Sequence, residues 1–388
     1  MPDVYHHGIT VTEINEGLAR AIRTVATSVI GLVVTAPAAS AALFPLDRPV
    51  LVTDVDAAAE AVGAAGTARV SLRAIADQVR TPVVMVRVAP GADAEATSAA
   101  VIGGTVDGKK TGMQALLAAQ AQLGVRPRIL GCPGLDTEEV TTALAIVAKR
   151  LRGMAYAYAL GDDIPAAILY RGGFAARELM LLRPDFLAFD GNAAAPSYAV
   201  ARALGLRARI DKEIGWHKTI SNVAVDGVVG LTEDIQWDLQ DPDTEAGLLN
   251  AADITTLIHD DGYRFWGSRT CSDDPLFAFE SAVRTAQVLA DTMAEGTKWM
   301  ADKPLHPGLM RDGAESVNEK LRQMKRDGLI LGGRCWFDAD ANPPAQLAAG
   351  KASLDYDYTP VPPLEHLNLR QRITDRYFLD FGRAVAAG

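Results

Sequence analysis

The middle of the chain alternates between short apolar runs and stretches in which apolar residues recur at helical spacing. The apolar runs predict buried strands at 29–35, 82–88, 128–131 and 154–160. The helical patterns lie at 54–66, 71–79, 113–123, 137–151 and 197–206, and Asp136 is the expected N-cap before 137. Residues 179–189 are typical of extended chain and 207–255 of loops with hairpins. Strands alternating with helices of this length predict an α/β layered fold with a largely parallel sheet.

The beginning of the chain carries a strand pattern without a nearby partner. Within residues 4–14, Ile9 and Val11 alternate with threonines, and Ile14 follows as a further apolar position. A lone strand is not stable by itself. We therefore expect this segment to pair with a distant strand, in this chain or in another.

The other end carries a similar pattern. Residues 350–359 alternate with one apolar face, and a second alternating segment follows at 367–373. Its apolar positions are Leu367, Leu369 and Ile373. The two segments are separated by Pro360, Pro362 and Pro363, which cannot donate hydrogen bonds to a strand ladder and so predict a stiff break. Proteins usually protect unpaired strand edges. Strand patterns without a local partner at both ends of the chain therefore predict pairing with neighbouring chains.

Residues 260–296 join an aromatic segment to an amphipathic helix. After the turn at Asp261-Gly262, aromatic residues crowd together at 263, 265 and 266. Asp273 and Asp274 precede Pro275, a combination typical of a helix start. The following apolar stripe consists of Phe279, Val283, Ala286, Ala290 and Met293, with Glu280, Arg284, Gln287 and Asp291 off the stripe. The pattern predicts a core corner that leads into a helix.

A second helix is predicted at 314–326, followed by a turn at Gly332-Gly333 and a strand that begins within 334–338. The helix carries the basic residues Lys320, Arg322, Lys325 and Arg326. A solvated helix face is the simpler interpretation of this set. The alternative is a contact surface for an acidic partner.

Composition narrows the classes of function. The length of 388 residues favours two or three domains. With 38 basic and 48 acidic residues, the chain is not typical of proteins that bind nucleic acid by neutralising phosphates. Its three cysteines are far apart, which predicts neither a disulfide framework nor a zinc site. The sequence shows no secretory-signal pattern and no apolar run long enough for a membrane span.

Candidate catalytic motifs are incomplete. The segment GGTVDGKKT at 103–111 nearly matches a phosphate-binding loop, but Lys110 replaces the hydroxyl that would bind magnesium. The simpler interpretation is a glycine-rich loop before the helix at 113. ATP or GTP turnover abolished by Lys109→Ala would favour the alternative, an α/β nucleotide hydrolase.

The remaining polar candidates also favour structural roles. His6-His7 would point to opposite faces of a strand, and His217 has no nucleophile nearby in sequence. Cys271 has no histidine to activate it, and helix capping explains Asp273-Asp274. We therefore expect no enzymatic activity, no cofactor and no bound metal.

Several long segments resemble the major tail sheath protein of contractile-tailed phages and the sheaths of R-type bacteriocins. They are GWHKTISN at 215–222, YRFWGSRTCSDDPLF at 263–277, RTAQVLADTMAE at 284–295, LDYDYTPVPPLE at 354–365 and LRQRITDRY at 369–377. Ser268 stands where Asn or Ala is more usual in that family. Residues 36–110 resemble the family less than the rest of the chain does.

The resemblance implies a structural, non-catalytic subunit. It implies hexameric rings that stack helically around an inner tail tube and contract irreversibly, driving the tube through the host envelope to deliver the genome. A phage-derived bacteriocin or injection device is the alternative. The implied partners are copies of the chain itself, the inner tail tube protein, and baseplate and tail terminator proteins, with no nucleic acid and no direct membrane insertion. The implied location is the virion, after assembly in the host cytoplasm.

The resemblance also implies an architecture. An outer α/β domain (21–257, with a subdomain about 36–110) would be inserted into an inner domain built from an N-terminal arm strand (1–20), a conserved part (258–350) and C-terminal strands with a linking arm (351–388). Extended β-arms would leave both termini. The implied signature core is Tyr263, Phe265, Trp266, Arg269, Pro275 and Phe277. Candidate contacts with the tube are Lys320, Arg322 and Lys325.

Overall fold

A computed structural model describes residues 22–191 and 193–386. The strands are β1 (Ile30–Thr35), β2 (Pro49–Val52), β3 (Val83–Val88), β4 (Thr105–Val106), β5 (Lys109–Lys110), β6 (Ile129–Gly131), β7 (Met154–Tyr158), β8 (Leu179–Leu182), β9 (Phe186–Asp190), β10 (Ala193–Ser197), β11 (Gly230–Leu231), β12 (Ile254–His259), β13 (Tyr263–Trp266), β14 (Ile330–Trp336) and β15 (Asp355–Pro360). The helices are α1 (Val55–Ala61), α2 (Ala68–Ala76), α3 (Ala94–Ile102), α4 (Ala119–Leu123), α5 (Glu138–Leu151), α6 (Ile164–Arg171), α7 (Ala199–Glu213), α8 (Glu245–Ala251), α9 (Glu280–Thr297), α10 (Pro307–Arg326), α11 (Pro344–Ala348) and α12 (Phe378–Ala386). Short 3-10 segments lie at Gly112–Ala118, Pro275–Phe277 and Lys298–Met300.

The largest sheet of the described chain has eight strands, in the order β13-β12-β8-β7-β6-β1-β3-β2. We call this sheet, together with the helices packed on it, the α/β body. The inner strands pair in parallel, and the edge strands β2 and β13 pair antiparallel. All six residues of β1 are buried, as expected for a parallel strand covered on both faces. The mixed α/β fold predicted from the sequence is confirmed.

Alternate residues of β1 supply the two cores on either side of this sheet. Ile30, Leu32 and Val34 pack with α2 and α7, whereas Val29, just before the strand, and Val33 pack with α3, α5 and the 3-10 segment after β5. Helices therefore cover both faces.

A third, smaller apolar cluster lies between α9, α10 and the pair β14–β15. Leu289 and Met293 of α9 meet Val317 and Leu321 of α10 there, together with Trp216 from the segment after α7. We call α10, β14, α11 and β15 the C-terminal layer. Helix α9 contributes to this cluster and also, through Val283, to a core of the α/β body.

Several local predictions were wrong. The N-cap of α5 is Thr137 instead of Asp136, because Asp136 turns inward and accepts a hydrogen bond from the backbone of Tyr158. Only a short 3-10 segment begins at Pro275. The α-helix starts only at Glu280, because hydrogen bonds from the backbone N–H of Thr270 to Ala278 and from that of Glu280 to Ser268 hold Phe279 in an extended conformation opposite Arg269.

Other differences concern element boundaries. Gly332-Gly333 lies inside β14, at a bulge, and forms no turn. Helices α3 and α6 were not predicted from their alanine-rich sequences. The stretch 207–255, predicted as loops and hairpins, contains the end of α7, helix α8 and the first residues of β12.

The charged positions of α9 face the α/β body. Glu280 is fully buried, and its carboxylate accepts hydrogen bonds from Tyr156 and Arg207. Arg284 pairs with Asp211 of α7, which also pairs with Arg207 at 2.8 Å. These side chains close a buried network between α9, α7 and β7.

A second set of ion pairs lies further along α9. The carboxylate of Asp291 pairs with Arg128, just before β6, and with Arg152, just after α5. We call the two sets together the charged seam; its members are Arg128, Arg152, Tyr156, Arg207, Asp211, Glu280, Arg284 and Asp291.

In the seam, burial disfavours the charged form of a side chain, whereas pairing with an opposite charge favours it. Burial lowers the pKa of Arg128 to about 10 although Asp291 favours its charge, so the side chain stays cationic at neutral pH. Burial also disfavours the charge of Arg207, but the carboxylates of Asp211 and Glu280 outweigh it and raise the pKa of this side chain. A buried ion pair broken on one side leaves an uncompensated charge. The seam therefore makes separation of α9 from the α/β body costly.

We expect Asp291→Ala to lower the free energy of unfolding by about 3–5 kcal/mol, because it leaves the buried guanidinium of Arg128 without its carboxylate partner. Urea denaturation of the purified subunit measures this. Glu319→Ala is the matched control, since it removes an exposed carboxylate that also pairs with two arginines, Arg322 and Arg326. Equal losses in the two variants would contradict the role given to the seam.

Candidate functional site

The C-terminal layer carries a sheet of only two strands. β14 and β15 pair antiparallel, from Ile330 opposite Pro360 to Trp336 opposite Asp355. Within residues 22–191 and 193–386, no third strand pairs with either one, so each has an open edge. Isolated two-stranded sheets are marginal in water, and this one is stabilised by packing on α10, where the side chain of Asn318 bonds both backbone groups of Cys335 at 2.8 and 2.9 Å.

An extended segment leaves the sheet at Pro360. Residues 361–374 form no helix or strand, and we call them the arm. Its apolar positions Leu364, Leu367, Leu369 and Ile373 are all exposed. Exposed leucine and isoleucine at alternate positions are typical of a strand whose partner is another molecule.

A charged contact fixes the base of the arm. The guanidinium of Arg269 makes a bidentate pair with the carboxylate of Glu365, at 2.8 and 2.7 Å. Arg269 also lies over the ring of Phe279, with 5.2 Å between the guanidinium carbon and the ring centroid. Planar bidentate pairs fix direction as well as distance. We call this contact the clasp; it sets where the arm leaves the α/β body.

A different candidate site is a cleft at the carboxyl ends of β6, β7 and β8, where open α/β sheets commonly bind ligands. Its volume is about 200 Å³, and its polar lining includes Asp136, Asp185, Tyr158 and Tyr198. Typical small-molecule pockets are larger, roughly 300–1,000 Å³. Both carboxylates are already used by the fold, since Asp136 accepts from the backbone N–H of Tyr158 at 2.5 Å and Asp185 from that of Ala199 at 2.7 Å.

The two cleft carboxylates are hard to ionise. Burial raises the pKa of Asp136 to about 6 and that of Asp185 to about 7, and the negative charges of Asp136 and Glu233 add to the effect on Asp185. The nearby guanidinium of Arg183 forms an ion pair with the carboxylate of Glu233 at 3.1 Å. Over the described ranges of the chain, no group of three or more His, Cys, Asp or Glu is arranged to hold a metal.

The segment 103–111 does not have phosphate-loop geometry. It forms the hairpin β4–β5, with Asp107 and Gly108 in the left-handed region at the turn. A phosphate-binding loop instead joins a strand to the N-terminus of a helix. Lys109 is exposed on β5, so the nucleotide-hydrolase interpretation loses its structural basis.

Comparisons with known proteins match almost the whole chain. Models of the phage tail sheath central domain and C-terminal domain match residues 108–271 and 272–374. The tail sheath protein of Escherichia phage P2 is 52% identical over 98% of both chains, and the major tail sheath protein of Serratia phage KSP20 is 47% identical over 97% of this chain and 98% of its own. The chain belongs to the phage tail sheath protein family.

The solved structures share the fold with this sheath subunit. The contracted helical sheath of the anti-feeding prophage matches with a TM-score of 0.73 at 17% identity, over 95% of this chain and 99% of that one. Membership of this family makes the protein a tail sheath subunit, in agreement with the sequence-based prediction.

The structure does not bring the predicted signature core of the sheath subunit together in one place. Phe265 is fully buried in β13 against Phe186, at 5.4 Å between ring centroids, and the half-buried Tyr263 and Trp266 flank it. Arg269 forms the clasp. Pro275 is exposed, and Phe277 is half-buried under Arg177. Tyr263 to Trp266 thus belong to a sheet edge, whereas Arg269 contacts the arm through Glu365.

The candidate tube contacts on α10 differ in exposure. Lys320 is buried, and its ammonium donates to Gln323 at 3.2 Å. Arg322 is exposed but pairs with Glu315 and Glu319. Lys325 is exposed.

The N-terminal arm positions Ile9, Val11 and Ile14 lie outside the described residues. Helices that cross a membrane need a long apolar stretch, and none of the described helices has one.

Neither the seam nor the clasp was predicted from the sequence. A signal for the seam exists, because Glu280, Arg284 and Asp291 follow one another at four and seven residues and so share a helix face. The clasp joins residues 96 positions apart, and no local pattern indicates such a pair.

We expect Arg269→Glu to disrupt sheath assembly and the exchanged pair Arg269→Glu with Glu365→Arg to restore it. Because the clasp is half-exposed, the isolated subunit should lose less than about 1 kcal/mol of unfolding free energy. Sedimentation of assembled material and urea denaturation measure the two quantities. Arg48→Glu, at an exposed arginine of the α/β body, is the control. Failure of the exchanged pair to restore assembly would rule out loss of the clasp as the cause of the assembly defect in Arg269→Glu.

We expect the unfolding free energy of the sheath subunit to fall as the pH rises from about 4 to about 7. The pKa of Asp185 is about 7 in the folded chain and 3.8 in its unperturbed state, so the folded state binds more protons in this window. Asp185→Asn should flatten the profile, since its amide oxygen can still accept from Ala199. Urea titrations at several pH values measure the slope, with the exposed Asp312→Asn as control. An unchanged slope in Asp185→Asn would contradict the assignment.

Proposed function

We propose that this sheath subunit forms hexameric rings that stack helically around an inner tail tube and contract irreversibly to drive that tube through the host envelope. The observation that carries the proposal is the open-edged sheet β14–β15 beside an arm with exposed, alternating apolar residues. Strand addition satisfies the backbone groups of such an edge, and the alternating side chains supply the apolar contact.

The arms link each subunit to its neighbours in this proposal. Residues 367–373 add a strand to the open sheet of one neighbour, and the N-terminal segment with Ile9, Val11 and Ile14 adds a strand in another. A contact between two different surfaces that does not close on itself generates a helical filament. The architecture is that of an outer α/β domain inserted into an inner domain formed by the N-terminal segment and the C-terminal layer.

The prolines at 360, 362 and 363 form the hinge of the linking arm. Pro360 still belongs to β15, and after it the chain runs without ladder hydrogen bonds to Glu365, where the clasp holds it. The hinge is therefore short and bounded at both ends by structure. Rigid bodies that turn about such a segment keep their connection while their orientation changes.

The contraction energy is stored when the sheath assembles, and the subunit itself is not an enzyme. The small cleft, whose two carboxylates serve the fold, and the hairpin at 103–111 both support this interpretation. An extended lattice held behind a kinetic barrier releases its energy once, which makes the process irreversible.

The subunit assembles in the host cytoplasm, on a baseplate and around the tube protein, and a terminator protein ends the array. Of the candidate tube contacts, exposed Lys325 is the one best placed to meet an acidic tube surface. Identity of 52% to the phage P2 protein, against 17% to the anti-feeding prophage sheath, favours a phage tail over an injection device.

Electron microscopy of the purified protein tests assembly through the arm. We expect hollow, striated cylinders from the wild-type chain, and their loss in the variant Leu367→Ser, Leu369→Ser and Ile373→Ser, because the added strand loses its apolar contacts. The matched control is Leu239→Ser with Leu248→Ser, two exposed leucines of the α/β body. Cylinders of normal yield from the arm variant would argue against strand exchange by this segment. The absence of cylinders from the wild-type chain would argue against the proposed function.

A further inference from the structure

We propose that α12 of one copy docks its apolar face into a groove on the C-terminal layer of a second copy. The inference rests on the proposed function in one respect, the pairing of the arm with a neighbour. It adds a helix-in-groove contact to the strand contact, at a different surface and through different residues.

Helix α12 has an apolar face that is not covered in the described chain. Phe378, Phe381 and Val385 recur at intervals of three and four residues and are 74%, 65% and 66% exposed. Side chains at these spacings lie on one helix face. Two exposed phenylalanines on one face are typical of anchors for a partner groove.

The groove lies at one end of the two-stranded sheet. It has a volume of about 1030 Å³ and is lined mainly by apolar side chains, including Leu305, Met310, Ala314, Phe337 and Leu347. Leu305 and Phe337 are 39% and 41% exposed. The groove therefore offers apolar surface at the start of α10, beside α11 and directly after β14.

The length of the arm determines which copy's groove α12 can reach. Residues 367–373 are only one residue longer than β15, which has six residues. If they pair antiparallel with the open edge of β15 in a neighbour, Ile373 arrives at the Asp355 end, which is opposite Trp336 and one residue from Phe337. Residues 374–377 alone then separate the added strand from α12, and four residues span at most about 14 Å. The helix thus reaches the groove of the same neighbour that holds its strand.

The chain's own groove is the less suitable receptor for α12. Pro360, Pro362 and Pro363 lack the N–H groups of a hairpin ladder, and the clasp holds Glu365 to the α/β body before the alternating segment begins. The arm accordingly forms no ladder with its own β15. These features direct the arm, and α12 with it, toward another copy.

Cysteine cross-linking within assembled cylinders tests the inference. One copy carries Phe381→Cys and one affinity tag; the other carries Leu347→Cys and a second tag. The natural cysteines Cys132, Cys271 and Cys335 are buried, so oxidation should join the introduced pair selectively. We expect a disulfide-linked species that bears both tags, at a yield about tenfold or more above the control pair Phe381→Cys with Leu239→Cys, because docking raises the effective concentration to about mM.

The outcomes separate this inference from the proposed function. Cylinders that form without linkage between copies, or with linkage only inside one chain carrying both cysteines, overturn the docking but leave the sheath function intact. Absence of cylinders from the wild-type chain counts against both. As a second measurement, Phe378→Ser with Phe381→Ser should lower the temperature at which cylinders dissociate, with unchanged unfolding of the isolated subunit. Leu169→Ser, at an exposed leucine of α6, should leave both temperatures unchanged; equal shifts in the two variants overturn the docking.

Discussion

The buried charged seam between α9 and the α/β body is the constraint on which the rest of the subunit depends. Arg207, Asp211 and Glu280 have fully buried side chains, so each requires the others to offset its loss of hydration. The opposite side of α9 contributes Leu289 and Met293 to the C-terminal layer. One helix is thereby fixed on both sides, by ion pairs toward the sheet and by apolar packing toward β14–β15. On the proposed function, a force applied at the arm would reach the α/β body through this helix and through the clasp.

The contacts of α9 and the apolar cores also determine which parts of the subunit are held firmly and which are held by few contacts. The main sheet and the long helices from β1 to β15 are joined by apolar cores or by the seam, whereas the arm has the clasp and little else among the described contacts. An edge strand that is left open is normally a liability for aggregation. On the proposed function, the same open edge forms a specific connection between subunits, provided that the arm pairs with it in one register. The clasp and the three prolines limit the directions the arm can take and so favour one register.

The sequence predicts the parts of this structure that repeat at short range. The run 29–35 is apolar throughout because β1 is covered on both faces, and the arm is recognisable because Leu367, Leu369 and Ile373 alternate without a local partner. It does not predict contacts whose partners are distant in sequence. Charged residues off an apolar stripe are usually solvated, but Glu280 and Asp291 are buried because Arg207 and Arg128 arrive from other elements. Asp136 failed as a helix cap for the same reason, since a strand backbone 22 residues away takes its carboxylate.

These differences bear on where a contractile lattice can store energy. A subunit that held the energy in its own fold would need an internal contact that is easily broken and remade. Helix α9 links the α/β body to the C-terminal layer, through buried ion pairs toward the body and close apolar packing toward the layer. Breaking a buried ion pair is costly. The exposed features are the open edges of β14 and β15, the arm and the apolar face of α12, and each of them can change partner or direction without unfolding the body. On the proposed function, the difference between the extended and contracted sheath is therefore a difference between contacts among subunits. The aromatic corner at Tyr263–Trp266 and the clasp at Arg269 contribute by keeping the base of the arm in place while those contacts change.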